Sequence, residues 1–197
     1  MNIASSLKSE IFRPLVTIVV PGSIAISPYL FITIQYFPEL TKFWNDNSSV
    51  FIWILFILVL AIGLILEDIG SLIEQLLWSN LIKRKDEKYL NEWDQYLQLY
   101  LKDEMVGQRY LRTILVRMKF ELSMAPALFI ALVGFAWLSR ITNIWSTISS
   151  ILVSIGIGVL GLYLLWESYL GAKLLGNTRR IILEGVENRK VQIDVPD

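Results

Sequence analysis

The residues of this chain that could carry chemistry are carboxylates next to long apolar stretches. Glu67 and Glu74 share an arc of about 100° on a predicted helix with Gly63, Gly70 and Ser71. Ionisable groups near a membrane interior are costly and normally face other helices or a water-filled path. Two interpretations follow. Either the five residues line a pore, with the glutamates as cation-attracting rings in an oligomer, or the carboxylates pair with nearby arginine and lysine residues.

A second set of candidate residues is cationic and precedes the third apolar stretch. Arg109, Arg112, Arg117 and Lys119 lie close together with no acidic residue among them. They could lie against anionic lipid headgroups, or neutralise the carboxylates of neighbouring helix ends. They could also hold a phosphate-bearing ligand such as a nucleotide or oligonucleotide, because arginine suits bidentate phosphate contacts. All three interpretations are open at this point.

The absent residue types argue against an enzyme. The chain has no cysteine and no histidine, so it lacks thiolate nucleophiles, the usual neutral-pH general base and the commonest zinc ligand. It also lacks a phosphate-binding glycine loop and a nucleophile elbow. We therefore predict no catalytic residue, no metal site and no cofactor. A carboxylate cluster that binds Mg²⁺ and acts on a lipid headgroup is the only enzymatic hypothesis left.

Four apolar stretches must position these side chains. They cover residues 15–36, 50–66, 122–138 and 144–166, and hydrophobic residues make up 54% of the chain. About 20 apolar residues in a helix match the roughly 30 Å hydrocarbon layer of a bilayer. The first stretch is too long for the apolar region of a cleavable signal sequence, so we expect it to be retained. The sequence predicts an all-α polytopic membrane protein with four transmembrane helices.

The positive charges predict how the chain is oriented. Of the 18 lysine and arginine residues, all but Lys42 and Arg140 lie before the first span, between spans two and three, or after the fourth. The positive-inside rule then places both termini and the long middle loop in the cytoplasm.

The cytoplasmic part is predicted to be helical. Residues 67–119 form an extension of the second span followed by a helical hairpin over 83–119, whose second helix begins near Gln108 and continues into the third span. Residues 167–197 form a C-terminal helix and tail. There, Gly176-Asn177 resembles a helix stop followed by an N-cap, with a short helix over 178–187 and an extended end over 191–195. The whole chain, 1–197, is one membrane domain.

Proline and small residues predict how the spans pack. Pro21-Gly22-Ser23 and Ser27-Pro28 predict kinks or a local break in the first span, and Pro126 predicts a bend in the third. In the fourth span, small residues share one face at helical spacing, which allows close helix–helix approach. This seam packs either within the chain or between subunits. Its main members are Ser150, Ser154, Gly158 and Gly161.

In general architecture the chain resembles the small four-span membrane proteins of bacterial anti-phage defence operons, namely the Hailong-type membrane effector and the Kiwa-type membrane subunit. The features behind this resemblance are the four spans, the segment 67–71 that leads into a basic cytoplasmic hairpin, and the lack of an enzyme motif. The resemblance implies an oligomeric protein that alters membrane permeability on infection, under control of a nucleotidyl ligand.

Three functional hypotheses result. The leading one is a homo-oligomeric ion channel or pore-type effector, preferably a tetramer, which is gated by a cytoplasmic nucleotide or oligonucleotide. The second is a membrane scaffold or sensor that recruits a soluble operon partner. The third is the lipid-active enzyme.

Overall fold

The computed structural model describes residues 3–78, 106–142 and 146–193, with side chains described for 15–76, 110–142 and 146–184. The described residues form five α-helices and no strand. They are α1 (Ile3–Tyr36), α2 (Pro38–Asp46), α3 (Ser48–Ile73), α4 (Val106–Thr142) and α5 (Thr147–Ile193), and α3 continues into a π-helical turn over Glu74–Trp78. Helices α1, α3, α4 and α5 are each long and apolar enough to cross a membrane. The predicted all-α fold with four spanning helices is confirmed, and it indicates a membrane location.

Helices α3 and α4 extend beyond the predicted spans, and both extensions agree with the sequence analysis. Helix α3 and its π-helical turn carry the second span on to Trp78, and α4 begins at Val106 and enters the third span without a break. The first helix of the predicted hairpin falls within residues 79–105, outside the described part of the chain. The hairpin itself therefore stays a prediction.

The predicted end of the fourth helix at Gly176-Asn177 is wrong. Helix α5 runs unbroken from Thr147 to Ile193, so the separate helix over 178–187 and the extended segment beginning at 191 are also wrong as far as Ile193. The reason is packing. Leu175 and Ile182 are both buried in one cluster with Leu111 and Ile114 of α4. This continuous apolar seam outweighs the weak helix propensity of one glycine and one asparagine.

Helix α1 is also unbroken across its prolines. Pro28 removes the N–H that would bond to the carbonyl of Ile24, but the Ser27 hydroxyl donates to that carbonyl at 3.1 Å. In α4, Pro126 leaves the carbonyl of Leu122 without its helical N–H partner. Gly70 of α3 packs on that carbonyl so closely that a Cβ there would lie 3.1 Å from the oxygen. Neighbouring groups thus cover the backbone oxygens of Ile24 and Leu122, which these two prolines leave without a helical partner.

Helix α4 is the centre of the bundle. It packs against α1, α3 and α5, whereas α5 packs chiefly against α4. As a result 39% of the apolar window of α4 is buried, against 6% of that of α5. Tyr29 ties α1 to this centre, because its hydroxyl donates to the Ile130 carbonyl at 3.0 Å.

The short helix α2 was not predicted. It connects α1 to α3, begins with Pro38 in its first turn, and buries none of its residues. Proline at the first helical position and Glu39 in the first turn are typical of a helix start. The signal was present in the sequence, because Leu40, Phe43 and Trp44 also recur at helical spacing, but the segment is only 9 residues long.

Candidate functional site

Five charged side chains form a layer where the apolar parts of α3, α4 and α5 end. We call them the charged layer, and they are Glu67, Arg117, Lys119, Glu121 and Glu167. Glu67, Glu121 and Glu167 each lie directly beside a charge-free apolar run, at the same end of the bundle, and Lys119 and Arg117 lie within four residues of Glu121. Because runs of similar length cross the same thickness, the flanking charges are brought to a common depth.

Arg117 joins two carboxylates from two helices. Its Nε donates to Glu121 Oε1 at 2.8 Å, one turn further along α4. Its Nη2 donates to Glu167 Oε1 on α5. The Glu121 side chain is only 6% exposed, while that of Arg117 is 64% exposed. A buried carboxylate needs a partner, so the guanidinium allows Glu121 to remain charged inside the bundle.

Lys119 makes the corresponding connection to α3. Its Nζ lies 3.7 Å from Glu67 Oε1, and both side chains are partly exposed. An ion pair of this kind contributes little to stability, typically about 0–1 kcal/mol. The two cations thus link α4 to helices on either side of it. With three carboxylates and two cations, the charged layer carries one net negative charge.

The residues predicted to line a pore do not share one environment. Gly63 is buried against the backbone of Ile18 in α1, and Gly70 is buried against Leu122 in α4. Glu67 pairs with Lys119, Glu74 is partly buried and Ser71 is exposed. The two glycines therefore belong to contacts within the chain, and a pore lined by the full set stays a prediction.

The four predicted cationic residues also lie in different environments. Arg117 and Lys119 contact carboxylates, as the second of the three interpretations expects. Arg112 is exposed on α4, and the side chain of Arg109 lies outside the described residues. Binding of lipid headgroups or of a phosphate-bearing ligand by this set stays a prediction.

The seam on α5 faces α4 for part of its length. Gly161 packs on the Phe129 ring, where a Cβ would lie 3.1 Å from the ring edge, and a Cβ on Gly158 would lie 3.8 Å from Leu132. Ser150 and Ser154 line a cavity between the same two helices. For this seam, packing within the chain is the arrangement that the structure describes.

Sequence reasoning missed one exposed polar surface on α3, which we call the α3 polar stripe. It consists of Asp68, Ser71 and Gln75, all exposed and within an arc of about 60°. The predicted stripe was centred on the glycines, which turn out to face inward. Only the packing of Gly63 and Gly70 shows which side of the helix is left open, so no sequence pattern alone would have located it.

Sequence reasoning also missed the burial of Arg179, which lies in the short helix predicted over 178–187. Its side chain is 1% exposed and lies on the face of α5 that carries Leu175 and Ile182. Within the described residues, no three acidic side chains are grouped so as to hold a metal ion.

Comparison with known proteins gives no relative. No family model, no curated protein and no solved structure matches the chain.

Proposed function

We propose that the protein is a homo-oligomeric ion pathway of the membrane, preferably a tetramer, in which the α3 polar stripe of each subunit faces the common axis. The observation that carries this proposal is the exposure of Asp68, Ser71 and Gln75 on one side of a helix that crosses the bilayer. In a single subunit Asp68 would lie beside Glu67 at the boundary of the hydrocarbon layer, with its side chain exposed on the outside of the bundle. An ionisable group at that depth normally faces other helices or a water-filled path.

The rest of the same helix face supports the proposal. Towards the opposite end of α3, the residues in line with the stripe are Ile57, Ala61 and Leu64, and all are exposed. An axis bounded by this face would be apolar over most of its length and polar at one end. Asp68 has no ion-pair or hydrogen-bond partner among the described residues. Its charge is therefore free to attract a cation.

An oligomer follows from the size of the subunit. One bundle of four spanning helices, with α4 filling its centre, leaves no wide path of its own. Cyclic symmetry would place identical α3 faces around one axis and hide every stripe from lipid at the same time. A ring of four acidic residues would favour cations over anions.

Gating and biological setting are further parts of the proposal. The candidate site for a cytoplasmic anion such as a nucleotide or oligonucleotide is the predicted set Arg109, Arg112, Arg117 and Lys119, because arginine suits bidentate phosphate contacts. The charge distribution favours an orientation with both termini in the cytoplasm. The resemblance to membrane proteins of bacterial defence operons favours the bacterial inner membrane. The architectural resemblance described above favours a role in anti-phage defence, in which opening of the pathway would depolarise an infected cell.

Conductance of the purified protein in planar bilayers tests the pathway. Asp68→Asn should lower the cation-to-anion permeability ratio, measured as a shift in reversal potential under a salt gradient. Asp46→Asn is the matched control, because Asp46 is exposed at the end of α2 and far from the stripe in sequence. Equal shifts for both variants, or currents unchanged by Asp68→Asn, would remove Asp68 from the pathway.

Cross-linking tests the oligomer independently of conduction. The chain contains no cysteine, so a single introduced thiol has no background. Under oxidation, Ser71→Cys should give covalent dimers in the membrane. Ile148→Cys, which is exposed at the far end of α5, should not. A monomeric product from Ser71→Cys would contradict the proposed axis.

The scaffold or sensor function is a second candidate, and a specific surface favours it. Leu174 and Ile181 are exposed on the part of α5 that extends beyond its apolar run. Apolar residues of this kind are typical of surfaces that bind another protein. If the full-length protein captures a soluble partner, if Ile181→Glu abolishes the capture, and if no ion flux is detected, this function would replace the channel.

A further inference from the structure

A cavity of about 550 Å³ opens between α4 and α5 at the end of the bundle opposite the charged layer. The two helices are in contact at Gly161 and Phe129, and they separate towards the ends that lead into their connection. The cavity occupies the space between the separated ends. Its volume is in the range of sites that bind small ligands.

The described residues that line the cavity provide one cation, several hydroxyls and an apolar wall. Arg140 comes from the last turn of α4, and Thr147, Ser150 and Ser154 come from the start of α5. Ile151 and Ile155 form the apolar wall. Among the residues that the structure describes, no acidic side chain lines the cavity.

These polar groups are not satisfied within the described part of the chain. Arg140 has no ion pair there, and the side-chain hydroxyls of Thr147, Ser150 and Ser154 make no hydrogen bond to described residues. Hydroxyls in spanning helices commonly bond to a carbonyl of the preceding turn, as Thr33 does to Tyr29 and Thr142 to Leu138. Donors that face a cavity and remain unused are available to a ligand.

The polar groups are arranged by depth. Along α5, Ser150 lies about 4.5 Å below Thr147 and Ser154 about 10 Å below it, at 1.5 Å per residue. Arg140 and Thr147 lie at the mouth, where a bilayer has its phosphates. The two serines and the isoleucines lie further in, where acyl chains begin. A ligand that matches this order has an anionic group, then ester oxygens, then hydrocarbon.

We propose that this cavity binds the phosphate-bearing headgroup of an anionic phospholipid, with Arg140 on the phosphate and Ser150 and Ser154 on the ester oxygens. We expect the ligand to be an anion because Arg140 lines the cavity and no carboxylate of the described residues does. We expect a lipid because two residues of the lining, Ile151 and Ile155, belong to the exposed apolar surface of α5, where lipid would surround the protein. The site is independent of the ion pathway proposed above.

Native mass spectrometry of the full-length protein in detergent tests the site. Phosphatidylglycerol should bind more tightly than phosphatidylcholine, and Arg140→Gln should weaken the binding of phosphatidylglycerol about tenfold. Arg140→Lys should retain part of it. Lys42→Gln is the control, because Lys42 is an exposed cation of α2 with no link to the cavity, and it should leave binding unchanged.

Three results would overturn the proposal. One is equal phosphatidylglycerol binding by Arg140→Gln and the unaltered protein. Another is competition by millimolar inorganic phosphate, which would assign the site to a soluble anion. The third is oxidative cross-linking of Ser154→Cys to a second copy of the chain, which would assign the cavity to a subunit contact. Matching circular dichroism spectra of the variants ensure that loss of binding is not loss of fold.

Discussion

Gly22 of α1 and Gly63 of α3 face each other without any side chain between them. A Cβ on Gly22 would lie 3.0 Å from the Gly63 backbone nitrogen and would overlap the carbonyl oxygen of Val59. A Cβ on Gly63 would likewise overlap the carbonyl oxygen of Ile18. Contact between membrane helices is driven by van der Waals packing, so two backbones that meet directly make a close and specific junction.

Alanine at either glycine should force α1 and α3 apart. We expect Gly22→Ala and Gly63→Ala each to lower the free energy of unfolding by about 1–3 kcal/mol, the usual cost of overpacking. The measurement is unfolding in mixed micelles with increasing sodium dodecyl sulfate. Gly156→Ala is the matched control, because nothing lies within 4 Å of its added Cβ. If all three variants unfold alike, the junction does not hold the helices together.

Loss of Arg117 should cost more than loss of Lys119. Arg117→Gln leaves the buried Glu121 without its guanidinium, and a buried charged group without a partner costs about 1–3 kcal/mol or more. Lys119→Gln removes the ion pair with Glu67, in which both side chains are partly exposed, and should lower the free energy of unfolding by about 0–1 kcal/mol.

A double-mutant cycle with Glu121→Gln separates the pair from other effects of the substitution. Once the Glu121 carboxylate is neutral, the further change Arg117→Gln should cost only the partly exposed pair with Glu167, about 0–1 kcal/mol of the free energy of unfolding. Lys173→Gln serves as the control for loss of one exposed cation on α5. Additive effects of the two substitutions would show that Arg117 does not stabilise Glu121.

Whether Asn177→Ala stabilises or destabilises the protein distinguishes a continuous α5 from two separate helices. Asn177 is exposed in the interior of the helix, so Asn177→Ala should stabilise the protein by about 0.5 kcal/mol through helix propensity. If Asn177 instead capped a second helix, the same change would destabilise it by about 1 kcal/mol. Thermal unfolding followed by circular dichroism measures the difference.

The hydroxyl of Tyr29 should contribute a measurable amount to the α1–α4 contact. Tyr29→Phe removes the 3.0 Å hydrogen bond to the Ile130 carbonyl and keeps the ring that packs against Gly134. We expect a loss of about 0.6 kcal/mol, the average for hydrogen bonds between membrane helices. Tyr36→Phe is the control, because Tyr36 is exposed at the end of the same helix. An equal or larger loss for Tyr36→Phe would contradict the assignment.

The sequence was sufficient to predict the spanning helices because charge-free apolar runs of bilayer length have few alternative structures. It was not sufficient to predict the α3 polar stripe, since inward and outward faces differ only through the partners of Gly63 and Gly70. It also failed at Gly176-Asn177, where local signals favour an end but the contact with α4 lies more than 60 residues away in the chain. The pairs of Arg117 and Lys119 were among the alternatives, but choosing between them required the positions of α3 and α5.

The unbroken helix α5 has a mechanical consequence. From Glu167, where its apolar run ends, to Ile193 it extends for about 40 Å as one element. A tilt of about 10° at the bilayer boundary would therefore move Ile193 sideways by roughly 7 Å. A small change in the angle of α5 among the spanning helices would thus become a displacement of several ångströms at Ile193. A force applied near Ile193 would in turn change the angle of α5 within the membrane.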